Sequence, residues 1–237
     1  MIEIRGLTKS YEDFQALQGL NMTVPSGAIY GLVGPNGAGK STTIRILTGI
    51  MQADAGQVLF DGEPVFENPN VKSRIAYIPD EVWFFPQANM QDMMKFYQGI
   101  YPKFDVQRWK KLGEAFQLDD KQPIRKFSRG MKKQVAFRLA LSMRPDYLIL
   151  DEPVDGLDPV MRRQVWSLVM ADSAEYGTSV LVSSHNLREL EEICDHIGIM
   201  NHGKMLAEKN VECGEDLESL FLEELGGVNY DVKNILL

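Results

Sequence analysis

One stretch, Gly34-Pro35-Asn36-Gly37-Ala38-Gly39-Lys40-Ser41, restricts this chain more than any other. It has the spacing Gly-x-x-x-x-Gly-Lys-Ser of a phosphate-binding loop. The apolar run Ala28 to Val33 precedes it, and a helical pattern from Lys40 to Leu47, stopped near Gly49, follows it. Glycines let the backbone turn back so that successive N–H groups converge on phosphate oxygens. The new helix adds the partial positive charge of its N-terminus. Lys40 is placed to reach β- and γ-phosphates, the Ser41 hydroxyl to ligate Mg²⁺, and Thr42 to add a phosphate contact. A strand–loop–helix of this kind belongs to an α/β fold and implies a nucleotide. It does not choose among kinases, GTPases and ATPases.

A second acidic element narrows the chemistry. The apolar strand Tyr147 to Leu150 ends in Asp151-Glu152-Pro153. In a doubly wound sheet the carboxyl ends of the strands form the ligand crevice. Asp151 is therefore placed to orient the metal, through water, and Glu152 to activate the attacking water. Phosphoryl transfer needs positioning and charge neutralisation more than covalent chemistry, and these groups supply both.

The remaining pattern organises the chain around these elements. Short strands are expected at Ile2 to Ile4, Leu20 to Val24, Ala28 to Val33, Gln57 to Phe60 before the Asp61-Gly62 turn, and Ile75 to Ile78 before Pro79. From about Asn89 to Met143 the period becomes helical, with Met90, Met94, Tyr97 and then Met131, Val135, Leu139 three or four apart. Buried strands resume at Tyr147 to Leu150, Ser179 to Val182 and Ile197 to Met200. A helical block inside an α/β order reads as an inserted lobe. Glu208 to Glu224 is acidic and reads as a peripheral helix.

Bulk properties exclude several classes. Apolar residues make up 44% of the 237 and charged residues 24%, an ordinary globular balance. The net charge of −8 argues against a partner bound by phosphate neutralisation, so no nucleic acid is expected. No apolar run is long enough to span a bilayer, and Met1 to Arg5 lacks a signal peptide's pattern, so the chain is expected to stay in the cytoplasm. Cys194 and Cys213 lack metal-ligand spacing and read as ordinary thiols.

Several elements in fixed order resemble the ATP-binding cassette family, from about Ile2 to about Lys209. Ser128-Arg129-Gly130-Met131, after Phe127, is similar to that family's signature motif in degenerate form. In the family this segment starts a helix and contacts the γ-phosphate of ATP held by the other subunit. A serine at a helix start suits an anion, although a plain N-cap would look the same. Gly156-Leu157-Asp158 resembles the family's D-loop, which lies between two subunits. His185 resembles the switch histidine that meets the γ-phosphate, and Tyr11 the aromatic that stacks on adenine.

Two positions depart from the family's pattern. Asp80 stands after the strand Ile75 to Ile78, where the family usually has Gln, and its charged oxygen could take part in Mg²⁺ binding. Arg129 replaces a usual Gly of the signature and Met131 a usual Gln. Arg129 adds bulk and positive charge beside the trans phosphate, which either aids ATP binding or slows closure. Both departures resemble the branch that drives antibiotic, drug and lantibiotic exporters. Trp83-Phe84-Phe85-Pro86 either packs under the helical lobe or rims a groove for a membrane subunit.

The resemblance implies a RecA-like P-loop NTPase core with a mainly parallel sheet, an antiparallel β subdomain and an inserted helical subdomain. The core covers about 1–88 and 144–209, the helical lobe about 89–143, and a C-terminal extension about 210–237. It implies ATP and Mg²⁺ as ligands and a Tyr11, Gly34 to Thr42, Asp80, Ser128, Gly130 and Asp158 nucleotide site. Ser41, Asp80 and Asp151 are then the metal residues, and Glu152 and His185 the catalytic ones. The implied partners are a second ATPase subunit, identical or related, and a membrane-spanning transporter subunit, with the chain peripheral on the inner face of the cell membrane. Two rival readings stay open: a cassette ATPase acting on ribosomes or DNA, and a regulator that binds ATP but scarcely hydrolyses it.

Overall fold

The computed structural model describes residues 1–211 and 217–225. A long hairpin, β1 (Ile2–Tyr11) and β2 (Phe14–Val24), precedes the central strand β3 (Ile29–Val33) and helix α1 (Lys40–Leu47). Then come β4 (Ala55–Phe60), β5 (Glu63–Pro64), the short α2 (Pro69–Lys72) and β6 (Ile75–Ile78). A helical stretch follows, with α3 (Met90–Ile100), α4 (Val106–Phe116), a 3-10 turn at Ile124–Lys126, and α5 (Arg129–Ser142). The chain continues through β7 (Tyr147–Asp151), α6 (Pro159–Tyr176), β8 (Ser179–Ser183), α7 (Leu187–Ile193), β9 (His196–Asn201), β10 (Lys204–Asn210) and α8 (Leu217–Glu224).

Two sheets result. The larger has the order β10-β9-β3-β8-β7-β6, with all but β10 parallel. The smaller is antiparallel in the order β2-β1-β4-β5. Strand β7 is buried on both faces. Leu148 and Leu150 enter a core shared with Phe137 and Trp166, while Tyr147 and Ile149 enter a second core with Phe60 and Ile44. Covering on both faces is why the parallel strands read as unbroken apolar runs. Helix α1 shares that second core with strands of both sheets.

The first hairpin is longer than its sequence suggests. Strands expected at Ile2 to Ile4 and Leu20 to Val24 extend to Tyr11 and back to Phe14. Register shifts between Ile4 and Leu7, Leu7 and Thr8, and Lys9 and Ser10 break the two-residue alternation. The distal half therefore shows no period of two. The helical stretch has its own cluster, in which Met90, Met93, Trp109, Phe127, Val135 and Leu139 meet. Phe137 and Leu141 on α5 belong to the main core. An Asn89–Asp92 capping box starts α3.

The acidic tail departs from a single helix over Glu208 to Glu224. Glu208 lies in β10, and the helix is α8, whose Leu217 N–H donates to Glu191 of α7 at 2.9 Å. Cys194 is a buried free thiol, and Cys213 lies outside the described residues. Among the described residues no helix is long and apolar enough to cross a membrane.

Candidate active site

The loop between β3 and α1 folds over its own lysine. Gly39 caps α1 at φ 106°, a left-handed conformation open to glycine, and gives no side-chain cap. A Cβ there would lie 2.8 Å from the Ala16 carbonyl oxygen. The first-turn N–H groups of α1 thus lack a capping side chain and suit an anion. The Lys40 ammonium donates to the Gly34 carbonyl at 2.6 Å and lies near the Pro35 carbonyl at 3.4 Å. Burial pushes its pKa down, opposed by the charges of Glu152 and Asp151.

A cleft of about 330 Å³ opens over this loop. It is bounded by Tyr11, Phe14 and Ala16 on the hairpin, by Asn36 to Thr42, and by Asp80 and Glu152 at the ends of neighbouring strands. Hydrogen bonding between strands β7 and β8 brings the acids into place. Asp151 ends β7 opposite Ser183, and the Ser183 hydroxyl donates to its Oδ1 at 2.6 Å. Asp151 is buried.

Glu152 follows immediately and takes φ 44°, rare for a residue with a side chain. Its N–H donates to the Ser183 carbonyl at 3.1 Å. Its carboxylate Oε2 faces His185 Nδ1 at 2.9 Å. Burial raises the Glu152 pKa, and His185 opposes that rise. His185 stands on the exposed loop between β8 and α7.

The signature-like residues lie apart from this cleft. Ser128 caps α5, its hydroxyl accepting from Met131 N–H at 3.2 Å. Asp158 caps α6, accepting from Val160 and Met161 N–H at 3.0 Å each. These two helix starts touch, since a Cβ on Gly130 would lie 2.6 Å from the Gly156 carbonyl oxygen. None of Ser128, Gly130 and Asp158 lines the cleft over Lys40.

The two departures turn out to be partners. Arg129 Nη2 bonds Asp80 Oδ1 at 2.6 Å, across 49 residues. Asp80 thus borders the cleft while one of its oxygens is held from the signature segment. Tyr11, at the tip of the hairpin opposite Phe14, donates its hydroxyl to Met51 Sδ at 3.0 Å. Phe14 is the more exposed aromatic of the two and was not singled out from the sequence. Its signal was its place in the hairpin, which the bulges concealed. Ser183 and Lys133 were not singled out either: their contacts with Asp151 and with the Glu152 carbonyl join residues 32 and 19 positions apart.

A phosphate loop at the carboxyl end of a parallel sheet, with a lysine at its mouth and paired acids on the next strand but one, defines a P-loop nucleoside triphosphatase. The family profile described as "ABC transporter" matches residues 17–155. The ABC transporter ATP-binding protein YtrB of Bacillus subtilis is 37% identical over 205 residues, covering 86% of this chain and 70% of that one. The lantibiotic transport ATP-binding protein SrtF of Streptococcus pyogenes is 34% identical over 228 residues, covering 95% and 97%. The bacitracin transport ATP-binding protein BcrA of Bacillus licheniformis is 35% identical over 212 residues, covering 88% and 69%. A solved ATP-binding subunit of an ABC transporter superposes with a TM-score of 0.87 at 26% identity, covering 95% of this chain and 99% of that chain. A dimeric cassette solved with ADP and phosphate shares the fold, with a TM-score of 0.81 at 19% identity and coverages of 90% and 99%. The chain belongs to the ABC transporter family. It is an ATP-binding subunit of that family, an ATPase of the kind that drives a membrane transporter.

Proposed function

We infer that two copies of this subunit, or this subunit and a related one, close head to tail around two ATP molecules and drive an exporter. The observation that carries the reading is the cleft that gathers Lys40, Ser41 and Glu152, while Ser128, Gly130 and Asp158 sit together outside it. A second subunit placing its own Ser128 segment over the cleft completes the site. Positive helix ends and loop N–H groups from both chains then converge on the phosphates.

Within the cleft each group has a task. Lys40 exchanges the Gly34 carbonyl for β- and γ-phosphate oxygens. Ser41 and Asp151, with Asp80 beside them, form an all-oxygen donor set that suits Mg²⁺, which supplies charge neutralisation at the phosphates. Glu152 takes the proton of the attacking water, and His185 orients Glu152 and meets the γ-phosphate. Tyr11 offers a stacking face for the base. Hydrolysis removes the bridge between the chains, and the pair reopens. Export as the direction of transport, and a position on the inner face of the membrane, follow the lantibiotic and bacitracin transport relatives. Purified protein should hydrolyse ATP only with Mg²⁺ present; a metal-independent rate would sink the reading.

The Glu152–His185 contact favours hydrolysis over a purely regulatory role, and it sets a pH dependence. A base works only when deprotonated, burial favours its protonated form, and His185 opposes that. His185→Ala removes the opposing influence, so the acid limb of kcat should move to higher pH. Its plateau should also fall by about 10²-fold, a typical contribution of a positioned acid–base partner. A pH–rate profile with an unmoved acid limb would contradict the coupling.

The aromatic run splits in the structure into a packed and an exposed part. Phe84 packs against the helical cluster. Trp83 is 71% exposed and Phe85 41%, with Phe85 edge-on to both Trp83 and Phe96. Trp83 and Phe84 border a groove of about 410 Å³ between the helical stretch and the β6 end, which Ile50, Tyr77 and Tyr97 also line. We place the membrane subunit's docking segment there. Trp83→Ser with Phe85→Ser should cost about 30-fold or more in partner affinity per aromatic, while soluble ATPase activity stays unchanged. Co-purification with the membrane subunit reads this directly.

A further inference from the structure

Lys133 is a fully buried cation on α5, the helix capped by Ser128. An apolar-core position of this kind rejects an ammonium unless carbonyls or carboxylates hold it. Its Nζ donates to the Glu152 carbonyl at 2.8 Å and lies 3.3 Å from the Pro79 carbonyl. Asp80 Oδ1 is 3.7 Å away. Pro79 and Asp80 follow β6, Glu152 follows β7, and the two strands pair in parallel, Ile78 opposite Leu150. One ammonium therefore sits across the carboxyl ends of two adjacent strands.

We propose that Lys133 is a positioning residue for ATP hydrolysis, holding the Glu152 backbone in its left-handed conformation and tying that conformation to the signature segment. The inference rests on the reading of Glu152 as the base. A side-chain-bearing residue keeps φ near 44° only when its surroundings over-determine it. Glu152 is gripped from both sides: its N–H by Ser183 of β8, its C=O by Lys133 of α5. Releasing the carbonyl lets the peptide relax toward an ordinary conformation, and the carboxylate swings with it. Lys133 also lies one helical turn after Arg129, and the two cations meet the same Asp80 oxygen. Whatever shifts the first turn of α5, including a γ-phosphate seated on Ser128 from the other subunit, shifts the group holding Glu152. The trans-facing segment and the cis base are thus mechanically joined through one side chain.

The test uses Lys133→Met, which keeps the length and removes the donors, and Lys133→Gln, which can restore one carbonyl contact. A displacement of the base by about 1 Å is worth on the order of 10²-fold in rate. Lys133→Met should therefore lose about that factor in kcat while the dissociation constant for ATP and the KM stay near wild type. Lys133→Gln should recover part of the loss. A kcat near wild type in Lys133→Met overturns the proposal. If Lys133→Met does not fold, Lys133→Gln decides: a parallel loss of ATP affinity and kcat marks a general structural role and overturns it, whereas a kcat loss alone supports it. Failure of the base assignment shows separately, as normal turnover in Glu152→Gln.

Discussion

Replacing Glu152 by glutamine should leave a protein that binds MgATP and scarcely turns it over. The amide keeps the size of the carboxylate and a hydrogen-bonding atom for His185, but it takes no proton. A positioned general base contributes about 10²–10⁴-fold, so kcat should fall by about three orders of magnitude. Binding should hold, because the residues proposed to meet the triphosphate lie on the loop and on α1, which line the cleft. The folded protein should not suffer either. Burial raises the Glu152 pKa, so above that pKa the ionised side chain opposes folding, and a neutral amide removes that opposition. The unfolding temperature without nucleotide should be equal or higher. With ATP present, the variant should accumulate as the closed pair, visible as a doubled mass in size-exclusion chromatography. Rapid ATP hydrolysis by this variant would remove Glu152 from the role of base.

Lys40→Ala should act on binding itself. A charge-assisted hydrogen bond is worth about 1.5–3 kcal/mol, and Lys40 is placed to make at least one to the triphosphate. Affinity for ATP should fall by about 10²-fold, since each 1.4 kcal/mol is tenfold. Without nucleotide the expected sign reverses. Lys40 opens α1, where its charge opposes the helix dipole, and it is buried at a cost to its charged form. The apo variant should be no less stable than wild type. With ATP at about 100 times the wild-type dissociation constant, the wild type gains about 2.7 kcal/mol. That corresponds to roughly 5–10 °C in unfolding temperature for a chain of this size. The variant should lose most of that rise. Thermal unfolding with and without MgATP separates the two effects, and a full nucleotide-induced shift in the variant would contradict the cradle.

Much of the fold was legible because its strongest signals are local. The parallel strands are short and apolar on both faces, so Ala28 to Val33, Tyr147 to Leu150 and Ser179 to Val182 announced themselves within about a residue of β3, β7 and β8. The helical stretch was legible from its period. The hairpin β1–β2 was half hidden, because bulges shift which face each residue takes. The acidic tail misled because it was read from its composition, which carries no period: Glu208 lies in β10, whereas Leu217–Glu224 form α8.

The candidate site splits along the same line. By itself the sequence determined the glycine loop between strand and helix, the lysine that opens α1 and the acid pair at the end of β7, since each is a contiguous run whose backbone geometry follows from its own residues. Only the tertiary structure decided that Asp80 is held by Arg129, that His185 rests on Glu152, and that Lys133 bridges two strand ends. It also decided that Phe84 turns inward while Trp83 stays exposed. Those relations join residues tens of positions apart, and they exist because strands β6, β7 and β8 lie side by side with α5 across them. Side-chain chemistry is written along the chain, but which groups share a hydrogen bond is settled by the order in which the strands pair.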